Sequence, residues 1–335
     1  MHIGIITPAP PASRYGNRVT ATRWAKILRL MGCRVAIRLS YLREPFDVLI
    51  ALHARRSFDS IDRFHRERPG VPIIVALTGT DLYRDITRNR NAQRSLDIAT
   101  RIVVLQPQAL NELHATWRRK TRVVHQSVTS HPNRKPFLQR GKNFEVCVVG
   151  HLRPVKDPFR TAMAARLLPA SSRIRIIHLG GAMSDRQRDR AQREMTLNSR
   201  YKWFGEVSAS RVRGVLGRAR LFVLSSRMEG GANALGEAIV AGLPVLASRI
   251  AGSIGILGED YPGYFDVGNT TELARLMLRC ETDPSFLDEL VSRCRDLTPM
   301  FDPRREQAAW VRLLDELFAR QPDSNAPSDI RRRRC

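Results

Sequence analysis

Cysteine is scarce and poorly placed for cross-linking: Cys33, Cys147, Cys280, Cys294 and Cys335 are odd in number and far apart. No Cys-x-x-Cys or Cys/His cluster occurs, which argues against a disulfide framework or a zinc site and favours reduced thiols in a cytoplasm. Long apolar runs are missing too. AIVAGLPVLA is broken by Gly242 and Pro244, and nothing nears the ~18 uninterrupted apolar residues of a membrane helix. MHIGIITPAP has no basic leader, so no secretory signal is expected. No Asp-x-Asp pair sits in a turn suited to a metal, and no internal repeat is visible. Lysine is the last shortage, with six residues against 50 arginines.

Positive charge is abundant. Lys plus Arg number 56 against 32 Asp plus Glu, for a net +24 and a pI near 11.2, a balance that raises nucleic acid or another polyanion as a partner. The surplus is spread, however, with +13 in residues 1–130 and +11 in 131–335. No basic domain results, and nothing aromatic is interleaved with the terminal RRRR, so neither nucleic acid nor a membrane is expected as partner. A non-enzymatic polyanion or RNA binder is the remote alternative.

With 335 residues and 43% apolar content, two globular domains are expected. Short β-branched runs alternate with segments of helical period, the pattern of βαβ units. The first set is 2–7, 34–39, 47–52, 72–77 and 101–106; the second is 144–150, 173–180, 220–226 and 244–248. Trp24, Ile27, Leu28 and Met31 mark the first helix by their spacing. The expected fold class is α/β, with two doubly wound Rossmann-like domains facing a central cleft. The division is 1–130, a linker at 131–143, 144–301, a terminal helix at 302–320 packing back on the first domain, and a disordered tail at 321–335. The helix shows an apolar face at Ala308, Val311, Leu314 and Leu317.

Ligands of open parallel sheets lie beyond the carboxyl ends of the strands, so the turns there carry the chemistry. After Val149 come Gly150, Arg153 and Lys156: a bare backbone and two cations suited to a diphosphate. After the strand LFVLSS comes Glu229-Gly-Gly-Ala-Asn-Ala-Leu-Gly-Glu237. Gly230 and Gly231 leave the chain uncovered, Asn233 suits an N-cap, and the amides of 230–234, including Ala232 and Ala234, would face an anion. Glu229 and Glu237 flank that nest, where carboxylates suit sugar hydroxyls. In the first half, Arg14, Asn17, Arg18, His53, Arg55, Arg56, Thr78, Thr80 and Asp81 follow strand ends and suit a small anion. For Arg55 and Arg56 a solvated surface remains the other reading, and for His53 a structural hydrogen bond.

The stretch from Ser226 to Ser248 resembles the Glu-x7-Glu segment of GT-B nucleotide-sugar glycosyltransferases, in the large retaining group that includes glycogen and sucrose synthases. Gly150-His-Leu-Arg-Pro-Val-Lys resembles that group's basic turn, and Trp203-Phe-Gly-Glu-Val its nucleobase segment. The resemblance implies that Arg153 and Lys156 hold the diphosphate, Glu229 the transferred sugar, Glu237 the ribose, and Phe204 and Gly205 the base edge. The segments from Thr7 to Trp24 (with Gly16), Leu52 to Ser57 and Leu77 to Ile86 are similar to the selenosugar synthases of selenoneine biosynthesis. That similarity implies a UDP-sugar donor, a selenophosphate acceptor bound by the first domain, and formation of a carbon–selenium bond. Arg153, Lys156, Glu229 and His53 are then the candidate catalytic residues, with no cofactor and no metal. Thr78 stands where many members of the wider group carry a His, so retention of configuration is not carried over. An ordinary transferase with a sugar, thiol or lipid acceptor is the alternative.

Overall fold

The computed structural model describes residues 1–129 and 142–318. The linker expected at 131–143 therefore falls outside the described residues except for its last two positions. The expected tail and its RRRR run fall outside them entirely.

Each half of the chain builds one six-stranded, wholly parallel sheet. The first contains β1 (His2–Ile6), β2 (Arg34–Arg38), β3 (Val48–Leu52), β4 (Ile73–Ala76), β5 (Arg101–Val104) and β6 (Thr121–Val123), in the order β2-β1-β3-β4-β5-β6. The second contains β7 (Phe144–Val149), β8 (Ile174–Leu179), β9 (Tyr201–Trp203), β10 (Leu221–Leu224), β11 (Val245–Ser248) and β12 (Tyr264–Phe265), in the order β12-β11-β10-β7-β8-β9. Parallel neighbours need helical crossovers, and these cover both faces of a sheet. Hence β3, VLIAL, is buried at every position and reads as an unbroken apolar run. The strands that the sequence pattern misses, β6, β9 and β12, are all short edge strands.

The order reverses between β1 and β3 in one sheet and between β7 and β10 in the other. In a doubly wound sheet the crevice at such a reversal is where ligands sit. It lies between the turns after β1 and β3 in the first domain, and between the turns after β7 and β10 in the second.

The terminal helix, Pro303–Phe318, packs on the first domain, where Trp310 meets Trp24 edge to face at 4.9 Å between ring centroids. Its buried face is Glu306, Trp310, Leu313 and Leu314; Val311, expected inside, is 40% exposed. The face is rotated because a carboxylate belongs to it. Glu306 accepts from Trp24 Nε1 at 2.8 Å, from the Ser127 amide at 2.8 Å and from its hydroxyl at 2.5 Å. At the far end Glu316 pairs with Arg101 and Arg122. Beside the start of this helix, the Val128 amide donates to the Phe301 carbonyl at 3.0 Å. Among the described residues no helix is long and apolar enough to cross a membrane.

Candidate active site

In the second domain two turns meet at the reversal. Ser225 Oγ donates to the carbonyls of Lys156 at 3.2 Å and Asp157 at 3.0 Å, tying the turn after β7 to the end of β10. Asp157 adopts a left-handed backbone at φ +42°, and its carboxylate grips Arg160 at 2.9 Å and Arg227 at 3.5 Å. This fixes the short 3-10 turn Pro154–Lys156. Lys156 then donates to Oε1 of the buried Glu229, which also takes the Ser226 hydroxyl at 2.6 Å. Arg153 opens that turn and has no side-chain partner among the described residues.

The helix after Glu229 spans Asn233–Val240 and its cap is Ala232, not Asn233. Asn233 is the first helical residue, and its side-chain oxygen accepts from Arg23 Nη2 of the first domain at 2.8 Å, which removes it from capping. The first-turn amides still point out of the helix toward the bare Gly230–Gly231 segment, at the positive end of the helix dipole. Glu237 is half-buried, and that burial holds its carboxyl above the usual range against the pull of Arg23 and Arg213.

The nucleobase segment is tied to the same turn. Phe204 donates its amide to the His178 carbonyl at 3.0 Å, and Gly205, at φ +68°, accepts from the Gly180 amide at 2.8 Å. His178 Nε2 bonds the Gly150 carbonyl at 3.0 Å while Nδ1 meets the Tyr201 hydroxyl at 2.9 Å. Complete burial lowers the His178 pKa to about 4, so the ring is neutral at pH 7.

In the first domain, His53 directly follows β3 with a left-handed backbone at φ +75° and is buried. Strain of this kind in a bulky residue collects at functional sites. Nε2 lies 3.3 Å from Thr80 Oγ1, and Asp81 and Asp85 stand 4.0 and 3.9 Å from the ring nitrogens. Burial lowers the His53 pKa against those carboxylates. Asp81 commits its oxygens to the amides of Thr78 at 3.0 Å, Gly79 at 2.8 Å and Ala54 at 3.2 Å, so it shapes the turn. Arg55 is paired with Asp85 at 2.9 Å. The structure thus gathers His53, Arg55, Arg56, Thr78, Thr80 and Asp81. Gly16, Asn17 and Arg18 open the helix Gly16–Leu30, and among the described residues the Arg18 and Arg56 guanidiniums have no partner. Arg14, expected beside the acceptor, instead reaches the other domain at Glu206 and Val207.

The two halves of the site touch. A Cβ added at Gly230 would lie 2.5 Å from the Thr78 carbonyl carbon, and one at Gly231 would lie 2.6 Å from Leu105 Cβ. Beside them a small cavity, no larger than a water molecule needs, is walled by Leu105, His125 and Gln126 from one domain and Gly231 and Asn233 from the other. Within the described residues its polar atoms His125 Nε2 and Gln126 Oε1 are unpartnered. Arg23, His125 and Gln126 were not visible as site residues in the sequence. Among the described residues no three His, Cys, Asp or Glu side chains are grouped to hold a metal ion.

Residues 130–296 match the family described as "Glycosyl transferases group 1". The chain carries a group 1 glycosyltransferase domain. Its fold is similar to that of HepE from Anabaena, solved in complex with UDP-glucose, with a TM-score of 0.77 at 13% identity over 94% of this chain and 100% of the other. Sucrose-phosphate synthase from Thermosynechococcus elongatus gives 0.75 at 17% identity over 96% and 100%. A glycosyltransferase from Rickettsia africae gives 0.75 at 12% identity over 96% and 99%. The fold of this glycosyltransferase is GT-B, and its matched family region contains both reversal-point turns of the second domain.

Proposed function

We propose that this glycosyltransferase transfers the sugar of a UDP-sugar, UDP-GlcNAc or UDP-glucose, to selenophosphate in the cytoplasm. The reaction forms a carbon–selenium bond and releases UDP, giving a sugar that carries the phosphate on selenium; water at phosphorus then breaks the Se–P bond, releasing inorganic phosphate and the selenosugar of selenoneine biosynthesis. The observation that carries this reading is the approach of Gly230 to Thr78 and Gly79. It sets the amide nest of one domain directly against the first-domain turn that resembles the selenosugar synthases. UDP and UDP-glucose in the HepE complexes support the donor class.

In this reading the diphosphate binds at Arg153, Lys156 and the amides of Gly230–Ala234, the ribose at Glu237 and the base edge at Phe204 and Gly205. Lys156 leaves Glu229 for phosphate, and Glu229 turns to the sugar hydroxyls. A selenium lone pair attacks the anomeric carbon while the bond from that carbon to the β-phosphate oxygen breaks. The electron pair stays on UDP, where the cations and helix amides stabilise it. Selenophosphate needs no proton removed from selenium, which suits a neutral His53 as hydrogen-bond partner in place of a base. Arg18 and Arg56 offer uncommitted charge to the acceptor phosphate. The step uses no metal and no cofactor.

A second reading keeps the donor and changes the acceptor to a sugar, thiol or lipid hydroxyl. It is favoured by Asp85, which neutralises Arg55 and leaves the His53 pocket with two buried carboxylates. Incubation with each UDP-sugar and selenophosphate, thiophosphate or phosphate, with products identified by mass, separates the readings. A selenium-containing sugar phosphate or selenosugar with UDP is expected. UDP release only with a hydroxyl or thiol acceptor selects the second reading. Tight RNA binding with no turnover of any UDP-sugar overturns both.

A further inference from the structure

The loop from β1 to the first helix, Thr7–Tyr15, belongs to the first domain, yet the side chains of its last two residues meet the second. Arg14 Nη1 donates to the Val207 carbonyl and Nε faces Glu206 Oε1 at 3.6 Å. The Arg14 carbonyl lies 3.3 Å from His151 Nε2. Tyr15 sets its ring edge on the His151 imidazole, 5.6 Å between centroids at 90°. His151 Nδ1 accepts from the Gly181 amide at 3.0 Å, which leaves Nε2 to carry the hydrogen that it donates to Arg14. One residue after another thus contacts the same two turns of the donor domain, Gly150–His151 and Phe204–Val207.

We propose that Arg14 and Tyr15 form a latch from the first domain over the nucleobase end of the donor site, and that they control release of the nucleotide. This rests on the reading of Phe204 and Gly205 as the base-binding segment. Three features support a latch over fixed packing. The contact between the domains at Gly230 is close and buried, whereas the Arg14 and Glu206 side chains are 50% and 45% exposed. Exposed ion pairs contribute little stability, so this contact can open and reform without disturbing the core. The loop is also stiffened. Pro8, Pro10 and Pro11 fix three φ angles, and Ser13 bonds the Pro10 carbonyl through its amide at 3.1 Å and its hydroxyl at 2.8 Å. A stiff loop delivers Arg14 and Tyr15 with little ordering cost on closure. Arg14 acts through the position of the domains, so it is a positioning residue rather than an acceptor ligand.

The test is the dissociation rate of UDP from the full-length protein, followed by stopped-flow fluorescence of Trp203, whose indole donates to the Gly180 carbonyl beside the latch. Calorimetry first establishes that the wild type binds UDP. Arg14→Ala and Tyr15→Ala are each expected to speed UDP release about tenfold with an unchanged Tm and an unchanged acceptor KM. Glu206→Gln should speed it less, and Arg14→Ala/Glu206→Gln should match Arg14→Ala alone, because the two side chains act as a pair. Unchanged release in Arg14→Ala, or a raised acceptor KM with normal release, overturns the latch and leaves the donor site standing. No UDP binding by the wild type overturns the donor reading and the latch with it.

Discussion

The Lys156 ammonium and the Ser226 hydroxyl both donate to one oxygen of Glu229, joining two groups that the donor would need separately. Breaking a largely buried ion pair without replacement is strongly unfavourable. Donor entry therefore has to supply a phosphate to the cation and hydroxyls to the carboxylate together, so that a bare nucleotide or a bare sugar binds less well than the two linked.

Lys156→Ala should lower transfer by on the order of 10²–10³-fold, the effect of losing one preorganised charge stabiliser. UDP affinity, measured by calorimetry, should fall as well. Unchanged affinity would remove Lys156 from the diphosphate site.

Glu237→Gln should separate stability from binding. Burial holds this carboxyl above the usual range, so ionising it at neutral pH disfavours the folded protein. The amide keeps the shape without that cost. The ligand-free variant is expected to melt at or above the wild-type temperature and to bind UDP about tenfold more weakly, given one lost charge-assisted hydrogen bond. A lowered Tm with normal UDP binding would contradict the ribose assignment.

Gly230→Ala introduces a methyl group 2.5 Å from the Thr78 carbonyl carbon. Backbone on the far side cannot yield, so the domains should stand apart. Small-angle scattering is expected to show a larger radius of gyration, and kcat should fall more than UDP affinity. An unaltered scattering profile with normal turnover would show that catalysis does not require this approach.

His178 should make the protein acid-sensitive. Its folded pKa is about 4, below the ~6.5 of an exposed imidazole, so between those values the unfolded chain binds more protons. The stabilisation is complete above pH ~6.5 and is lost as pH falls toward 4, by on the order of 3 kcal/mol in total. Urea midpoints measured across this range should decline less steeply in His178→Gln. Equal slopes would assign the acid sensitivity elsewhere.

Most of the architecture was legible because strands covered on both faces must be apolar throughout, as β3 and β4 are. The edge strands TRV, YKW and YF lacked that mark because each is only two or three residues long. The donor turns were legible from local spacing, since glycine, carboxylate and cation types recur within a few positions. Pairings across long separations were not. Lys156 meets Glu229 over 73 residues and Arg23 meets Asn233 over 210. Arg23 reads as a surface cation until the second domain covers it. Asn233 consequently failed as a cap for a reason outside its own helix. The terminal helix shows the same limit: the apolar stripe at Ala308, Val311, Leu314 and Leu317 omitted Trp310, which is buried on the face that carries Glu306.

The bond from the Val128 amide to the Phe301 carbonyl joins the two places where the chain passes between domains. Two crossings fastened side by side behave as the pin of a door. A hinge pinned there is expected to swing rather than slide, so that a single angle would describe how far the two domains stand ajar.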